Sequence, residues 1–336
     1  MEAPINVAEP PFDSSPRADL ILRSTDGMDF YIMKAFLIFD SPVFQNIFLK
    51  SKLSSTRQTQ DGLGLVQLDE DSKVIRHILL FCYPGVPPEL ESLDEIVAVL
   101  RVAENYEMEV LGKQVREILV ASPFMKKDPL RVFSLALRYG WETVGIIAAR
   151  NTLAIPQQHL SFSEELSFTT GLELYRLTDF RYRCAKEIRR WIFSYLDPYG
   201  GREKFQEQNY VWTNRYVTHE RSCIQAVLFY QPATEITELV SFTYEGARKW
   251  WVNYFIKLLR RLEVCPTAKT VLFDEKLSES ALIAAAPCPA CAAAAFIDLP
   301  KFKKLLAERI SQLIAQVRHA YLEKNSVRSN LRNTNS

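Results

Sequence analysis

Cysteine is scarce in this sequence, with six in 336 residues, too few and too scattered for the dense disulfide framework of a small secreted domain. An excess of one charge is missing as well: 41 basic residues face 40 acidic ones, for a net charge of +1. Affinity that rests on neutralising phosphates needs a basic surplus, so the balance argues against nucleic acid as the main partner. Long apolar runs are absent. The longest uncharged stretch, residues 281–297, is interrupted by Pro287 and Pro289 and falls short of the ~20 residues that a membrane-spanning helix needs. The opening residues carry Pro4, Pro10, Pro11 and Pro16 without the positive start and apolar run of a secretory signal. No Asn-x-Ser/Thr acceptor site occurs. These absences favour a reducing compartment, cytosol or nucleus, and no membrane.

Catalytic motifs are missing too. The sequence contains no GxSxG, HExxH, GxGxxG or phosphate loop. Gly62-Leu63-Gly64 precedes a strand pattern and lacks a following helix, so it is turn chemistry. His77 falls on a helical stretch and reads as a surface or half-buried side chain. His159 and His319 have no nearby Ser, Cys or carboxylate pattern. The expectation is a protein that makes and breaks no bond itself and holds no cofactor.

What is present is globular. Hydrophobic residues make up 48% and charged residues 24%, enough apolar side chains for a sizeable core, and the length suggests two or three domains. Residues 1–17 read as a disordered tail. Two short apolar runs, 18–24 and 29–34, flank Asp26-Gly27, the signature of a tight hairpin. A short buried helix over 35–39 follows, and Ser41-Pro42 stops it and caps the next helix, which carries Val43, Phe44, Ile47 and Phe48. Residues 50–62 are a polar loop, and Leu63, Leu65, Val66 and Leu68 form a third strand. Asp69, Glu70, Asp71 and Ser72 open a helix burying Val74, Ile75, Ile78 and Leu79, which ends at Tyr83-Pro84-Gly85. Leu93, Ile96, Val97, Leu100 and Ala103 repeat at helical spacing, and another helix covers 110–120. Strands clustered early with helices around them indicate the α+β class.

These residues resemble the BTB/POZ family. The likeness is carried by Ala18-Asp19-Leu20-Ile21-Leu22, by 30–39, by Ser41-Pro42-Val43-Phe44-Gln45-Asn46-Ile47-Phe48, by 66–69, by Phe81-Cys82-Tyr83-Pro84-Gly85 and by 100–108. It covers 18–122, and the form with Tyr83-Pro84-Gly85 resembles the fungal branch. Asp128-Pro129-Leu130-Arg131-Val132-Phe133, Tyr139-Gly140-Trp141-Glu142 and 148–153 are similar to the helical region that follows the domain in fungal relatives. From the residues alone, two amphipathic helices meet at Gly140, with Leu130, Phe133, Leu137 and Trp141 on the buried face.

The resemblance implies a protein-interaction scaffold or adaptor that pairs with itself or with another subunit. It also implies where this chain departs from its relatives. Those that recruit a cullin ubiquitin-ligase scaffold carry, after the second helix, an apolar residue and a glutamate two positions on. The corresponding stretch here is Leu53-Ser54-Ser55, and a missing carboxylate removes a charge-assisted contact of ~1.5–3 kcal/mol. Met33 stands where histidine is common, and the proline-rich start leaves no room for the extra swapped strand of some family dimers. Phe48, Leu53 and Ser55 are the expected partner face. The rival readings are a cullin-ligase substrate adaptor and a transcription-associated regulator.

Residues 123–322 read as a helical region, with helices over 164–167, 171–177, 184–196, 219–230 and 237–262. A last helix opens at Asp298 and Pro300 and packs on the chain's own core; 323–336 is a polar, disordered tail. Cys288-Pro289-Ala290-Cys291 has the spacing of half a zinc site. Cys265, or Cys223 with His219 a turn away, could complete it, and a site of Cys223, Cys265, Cys288 and Cys291 is conceivable. No second CxxC exists, so ordinary reduced cysteines without metal are the simpler expectation. Arg181, Arg183, Lys186, Arg189 and Arg190 form one basic cluster, and Arg248, Lys249, Lys257, Arg260 and Arg261 another; both read as solvated helix faces.

Overall fold

The computed structural model describes residues 6–13, 16–53, 62–85, 87–196, 223–231 and 240–322, with the backbone alone at 50–53, 193–196, 224–231, 240–247 and 318–322. The chain divides into two compact units, Met1–Met125 and Lys126–Ser336.

The first unit is α+β. Strands β1 (Asn6–Val7), β2 (Leu20–Arg23) and β3 (Met28–Ile32) are followed by helices α1 (Lys34–Asp40) and α2 (Pro42–Leu53). Strand β4 (Gly64–Gln67) and helices α3 (Ser72–Cys82), α4 (Leu93–Asn105) and α5 (Glu109–Ala121) complete the unit. The sheet order is β1-β3-β2-β4. Strand β2 pairs antiparallel with β3 and parallel with β4. Leu20, Ile21 and Leu22 run consecutively and all are buried, which requires cover on both faces of a central strand. The hairpin between β2 and β3 turns at Gly27, whose φ of +79° suits a residue without Cβ. Arg23 and Asp29 pair across it through two bonds of 2.6 and 2.8 Å.

One expectation is corrected here: residues 1–17 are not wholly a disordered tail. Strand β1 pairs parallel with the start of β3, and Phe12 is fully buried, 5.1 Å edge-on from Tyr83. Burying this phenylalanine contributes about 2 kcal/mol, and the bonds from the Ala8 N–H to the Asp29 carbonyl and from the Tyr31 N–H to the Phe12 carbonyl, 2.9 and 3.0 Å, hold the segment beside β3. Helix α1 also differs in detail. Leu37 is its buried residue, whereas Phe39 is 88% exposed.

The short α6 (Phe124–Lys127) leads into the second unit. Helices α7 (Pro129–Arg138) and α8 (Glu142–Thr152) meet at Gly140, with φ +66°. Leu130, Val132, Phe133, Leu135 and Ala136 are buried there, while Leu137 and Trp141 are half-buried. Two 3-10 turns, Gln157–His159 and Glu164–Phe168, precede α9 (Gly171–Leu196), a single helix where two were expected. Residues 219–222 lie outside the described residues. The helices expected over 224–230 and 240–248 are strands instead, β5 (Ile224–Gln231) and β6 (Val240–Arg248), paired antiparallel. Their content of Ile, Val, Phe, Tyr and Thr suits a pleated ladder better than a helix.

Helices α10 (Lys249–Val264), α11 (Ala268–Leu272), α12 (Glu275–Ala285) and α13 (Pro289–Leu322) close the chain. Trp251, Phe255, Leu258, Phe302 and Ile310 anchor their shared core with Ile188 and Ile192 of α9. Trp251 stacks on Phe255 at 5.1 Å, and both rings meet Phe302. The last helix packs on this core, as expected, but it opens at Pro289 and runs through Pro300. Proline inside a helix forfeits one backbone bond. Buried Cys291, Ala295, Leu299, Phe302 and Leu306 keep one apolar stripe continuous past it.

Candidate functional site

Three side chains of the first unit were expected at a partner face. Phe48 is buried, 3% exposed, and stacks on Phe44 at 5.6 Å. Phe44 in turn lies parallel to Tyr106 at 4.3 Å. Leu53 is the last residue of α2, with its backbone alone described, and Ser55 lies outside the described residues. The structure therefore places Phe48 beneath α2 and Leu53 at its end.

Around α2 the fold is locked by hydroxyl and carboxylate bonds. Ser41 caps α2 by accepting the Phe44 N–H at 3.0 Å, and its hydroxyl donates to the Tyr106 carbonyl at 2.5 Å. The Tyr106 hydroxyl donates to Glu70 at 2.9 Å. Burial raises the Glu70 carboxyl above its ordinary value, and that bond pulls the other way. The Met33 N–H donates to the Tyr83 hydroxyl at 2.7 Å, and Phe36 packs on the Tyr83 ring at 4.4 Å. The Tyr83-Pro84-Gly85 segment thus has a structural task at the β3–α1 junction. Asp40 accepts the N–H groups of Val110 and Leu111, both at 3.0 Å, and so caps α5 from the end of α1.

Phe39 and Val110 flank that cap, 88% and 47% exposed. Neither was expected at a partner face. A signal existed: five consecutive apolar residues, 35–39, on a seven-residue helix cannot all point inward at 100° per residue. Some had to face solvent, and Ala35 and Phe39 are the two that do.

Residues 9–123 match the BTB/POZ domain family, and strands β2 to β4 and helices α1 to α5 occupy that span. This stretch is a BTB/POZ domain. Among solved structures, the chain is similar to the BTB domain of zebrafish PATZ1 at 22% identity, over 31% of this chain and 77% of that one, with a TM-score of 0.24. No curated protein matches the sequence. BTB domains are protein-interaction modules, so the first unit carries an interaction function, and no helix among the described residues is long and apolar enough to cross a membrane.

In the second unit, the basic clusters are solvated in part, as expected: Arg190, Lys249, Lys257, Arg260 and Arg261 are exposed, whereas Arg181 and Arg248 are not. Arg181 is buried and donates to the carbonyls of Thr152 and Ile155, closing the end of α8. Arg183 pairs with Asp179, Arg189 with Glu263 and Arg261 with Asp274, while Arg248 is buried. A cleft of about 650 Å³ lies between α9 and the end of α10, lined by Arg181, Tyr182, Lys186 and Glu263 among others. Its lining carries no cysteine or histidine, and its acid, Glu263, is held by Arg189.

The cysteines behave differently. Of the four named above, Cys223, Cys288 and Cys291 bring their sulfurs within 4.8 Å of one another, and Cys265 is not among them. Cys288 precedes α13 and Cys291 lies in its first turn. The Cys288 sulfur accepts the backbone N–H groups of Cys291 and Ala290, the first of which chiefly holds its thiol below the ordinary value. Burial pushes the Cys291 thiol up to about 12. His219 lies outside the described residues.

Proposed function

We propose that this chain is a scaffold or adaptor whose BTB domain pairs with a second copy or with another subunit, leaving the helical second unit to engage a client. Phe39 carries the reading. It is an aromatic side chain left 88% exposed on a short helix whose neighbours are packed, beside half-exposed Val110. Burying such a ring against a partner yields about 2 kcal/mol, and aromatic anchors of this kind dominate interface energies. Tyr83-Pro84-Gly85 supports a fungal-type domain within this reading. Strand β1 lies at the open end of the sheet order and gives a pairing partner a further edge.

Phe39→Glu tests it in the full chain. Self-association weakens roughly tenfold or more, while the urea midpoint stays unchanged because Phe39 has little packing to lose. Pairing as tight as in the unaltered protein would place the interface elsewhere.

A second reading, substrate adaptor of a cullin-type ubiquitin ligase, is favoured by one observation. Helix α2 runs to Leu53, which puts that apolar residue at a helix end, with Phe48 holding the helix from beneath and Ser55 two positions on. Titrating the full chain with the N-terminal half of a BTB-recruiting cullin decides it. Micromolar binding lost in Leu53→Asp supports the adaptor, and no binding at tens of micromolar removes it. A transcription-associated role through the basic clusters has weaker support, since Arg181 is committed to internal carbonyls and Arg183, Arg189 and Arg261 are paired with carboxylates. Retention on DNA at low salt would revive it.

A further inference from the structure

Three sulfurs from two distant segments converge in the second unit. Cys223 stands immediately before β5, half-exposed, whereas Cys288 and Cys291 come from the start of α13 and are 8% and 2% exposed. All three sulfurs lie within 4.8 Å of one another. A tetrahedral Zn²⁺ with Zn–S bonds of ~2.3 Å sets its sulfurs about 3.8 Å apart, so a shift of about 1 Å or less brings this trio to coordination distance. A disulfide would use two of the three and needs an oxidant; a soft metal ion uses all of them.

The start of α13 suits a metal-bound sulfur at Cys288. Cys288 occupies the cap position of α13: the Ala292 N–H donates to its carbonyl at 2.8 Å. Its sulfur takes the N–H groups of Ala290 and Cys291, two of the donors that a helix start otherwise leaves without partners. Three thiolates around Zn²⁺ carry a net charge of −1. The positive end of a helix and these two N–H donors offset that charge, in the way outer-shell donors tune metal sites. Cys288 and Cys291 belong to the same buried cluster as Trp250 and Ala295.

We propose that Cys223, Cys288 and Cys291 form a three-thiolate site for a zinc ion, with solvent at the fourth corner of the tetrahedron. The ion ties the segment entering β5 to the start of α13 and fixes the register of both on the core beneath Trp250. Cys265, on a different part of the unit, takes no part.

The test uses the full chain, reduced and stripped of metal, titrated with Zn²⁺ against a competing chelator and with Co²⁺, whose thiolate absorption counts sulfur ligands. One ion per chain with the spectrum of three sulfurs is expected. Zn²⁺ then shields Cys223, Cys288 and Cys291 from iodoacetamide, read by mass spectrometry, while half-exposed Cys265 is alkylated at the same rate with or without metal. Cys291→Ser lowers zinc affinity by roughly 100-fold or more, and Cys265→Ser leaves it unchanged. If Cys291→Ser fails to fold, shielding in the unaltered chain still decides. Absence of stoichiometric uptake, or bound zinc that leaves these three alkylating at the metal-free rate, overturns the site.

Discussion

Single hydroxyls and carboxylates set the geometry of the BTB domain at its junctions. Tyr83 is the clearest case, because its oxygen accepts the Met33 N–H at 2.7 Å where β3 hands over to α1. Tyr83→Phe keeps the packing against Phe12 and Phe36 but removes the acceptor. A backbone donor left without a partner costs about 1–3 kcal/mol, so the urea midpoint of the domain should fall by that equivalent. An unchanged midpoint would mean that water replaces the hydroxyl. At this scale the sequence was informative wherever a residue type has one main use: Gly27 in the hairpin, Ser41 before Pro42, Asp71 as the cap that accepts the Val74 N–H at 2.8 Å. Phe39 was misjudged because apolar character alone does not say which side of a short helix faces the core. Asp40 was invisible as a cap for α5 because its partners, Val110 and Leu111, lie far along the chain.

Between elements, the docking of the Glu164–Phe168 turn on α7 shows how polar contacts complete apolar packing. Arg131 donates to Glu165 at 2.7 Å, the Thr169 hydroxyl donates to Ser134 at 2.9 Å, and the Arg138 guanidinium lies over Phe168 at 4.3 Å. Burial alone would raise the Glu165 carboxyl, but the bond and charge of Arg131, with the backbone bond of Glu165 and Ser163, together outweigh it and hold the carboxyl below its ordinary value. A depressed folded value means stability that is present above the unfolded value and lost as pH falls through the folded one. In Arg131→Leu burial is opposed only by the backbone bond of Glu165 and by Ser163, so the carboxyl moves up and the stability gained toward neutral pH shrinks. The two proteins should be close at pH 3 and diverge toward neutrality. There the variant is weaker by about 2–3 kcal/mol, below the cost of breaking a fully buried pair because Arg131 is partly exposed. Thermal unfolding across pH 3–7 reads this, and parallel curves would refute it. Most helices were legible from apolar spacing. Strands β5 and β6 were not, since a strand is stabilised by its pairing partner, and spacing within one segment does not reveal a ladder. Strand β1 was hidden for the same reason: two residues acquire meaning only beside β3.

For the molecule as a whole, the BTB domain covers about a third of the sequence, and the rest is a helical unit built on tryptophans and the long α13. The near-zero net charge gives no basic surplus for binding phosphate. Several linked motifs at the right spacing made the first unit recognisable. The second offered only general patterning, and the meeting of Cys223 with Cys288 and Cys291 depends on tertiary placement that no spacing discloses. The central claim is that the chain works by pairing through its first unit. Sedimentation equilibrium of the unaltered full chain from low to high micromolar concentration tests it most directly. The account predicts a mass that climbs from the 38.7 kDa of one chain toward twice that value; a mass fixed at one chain throughout would contradict it.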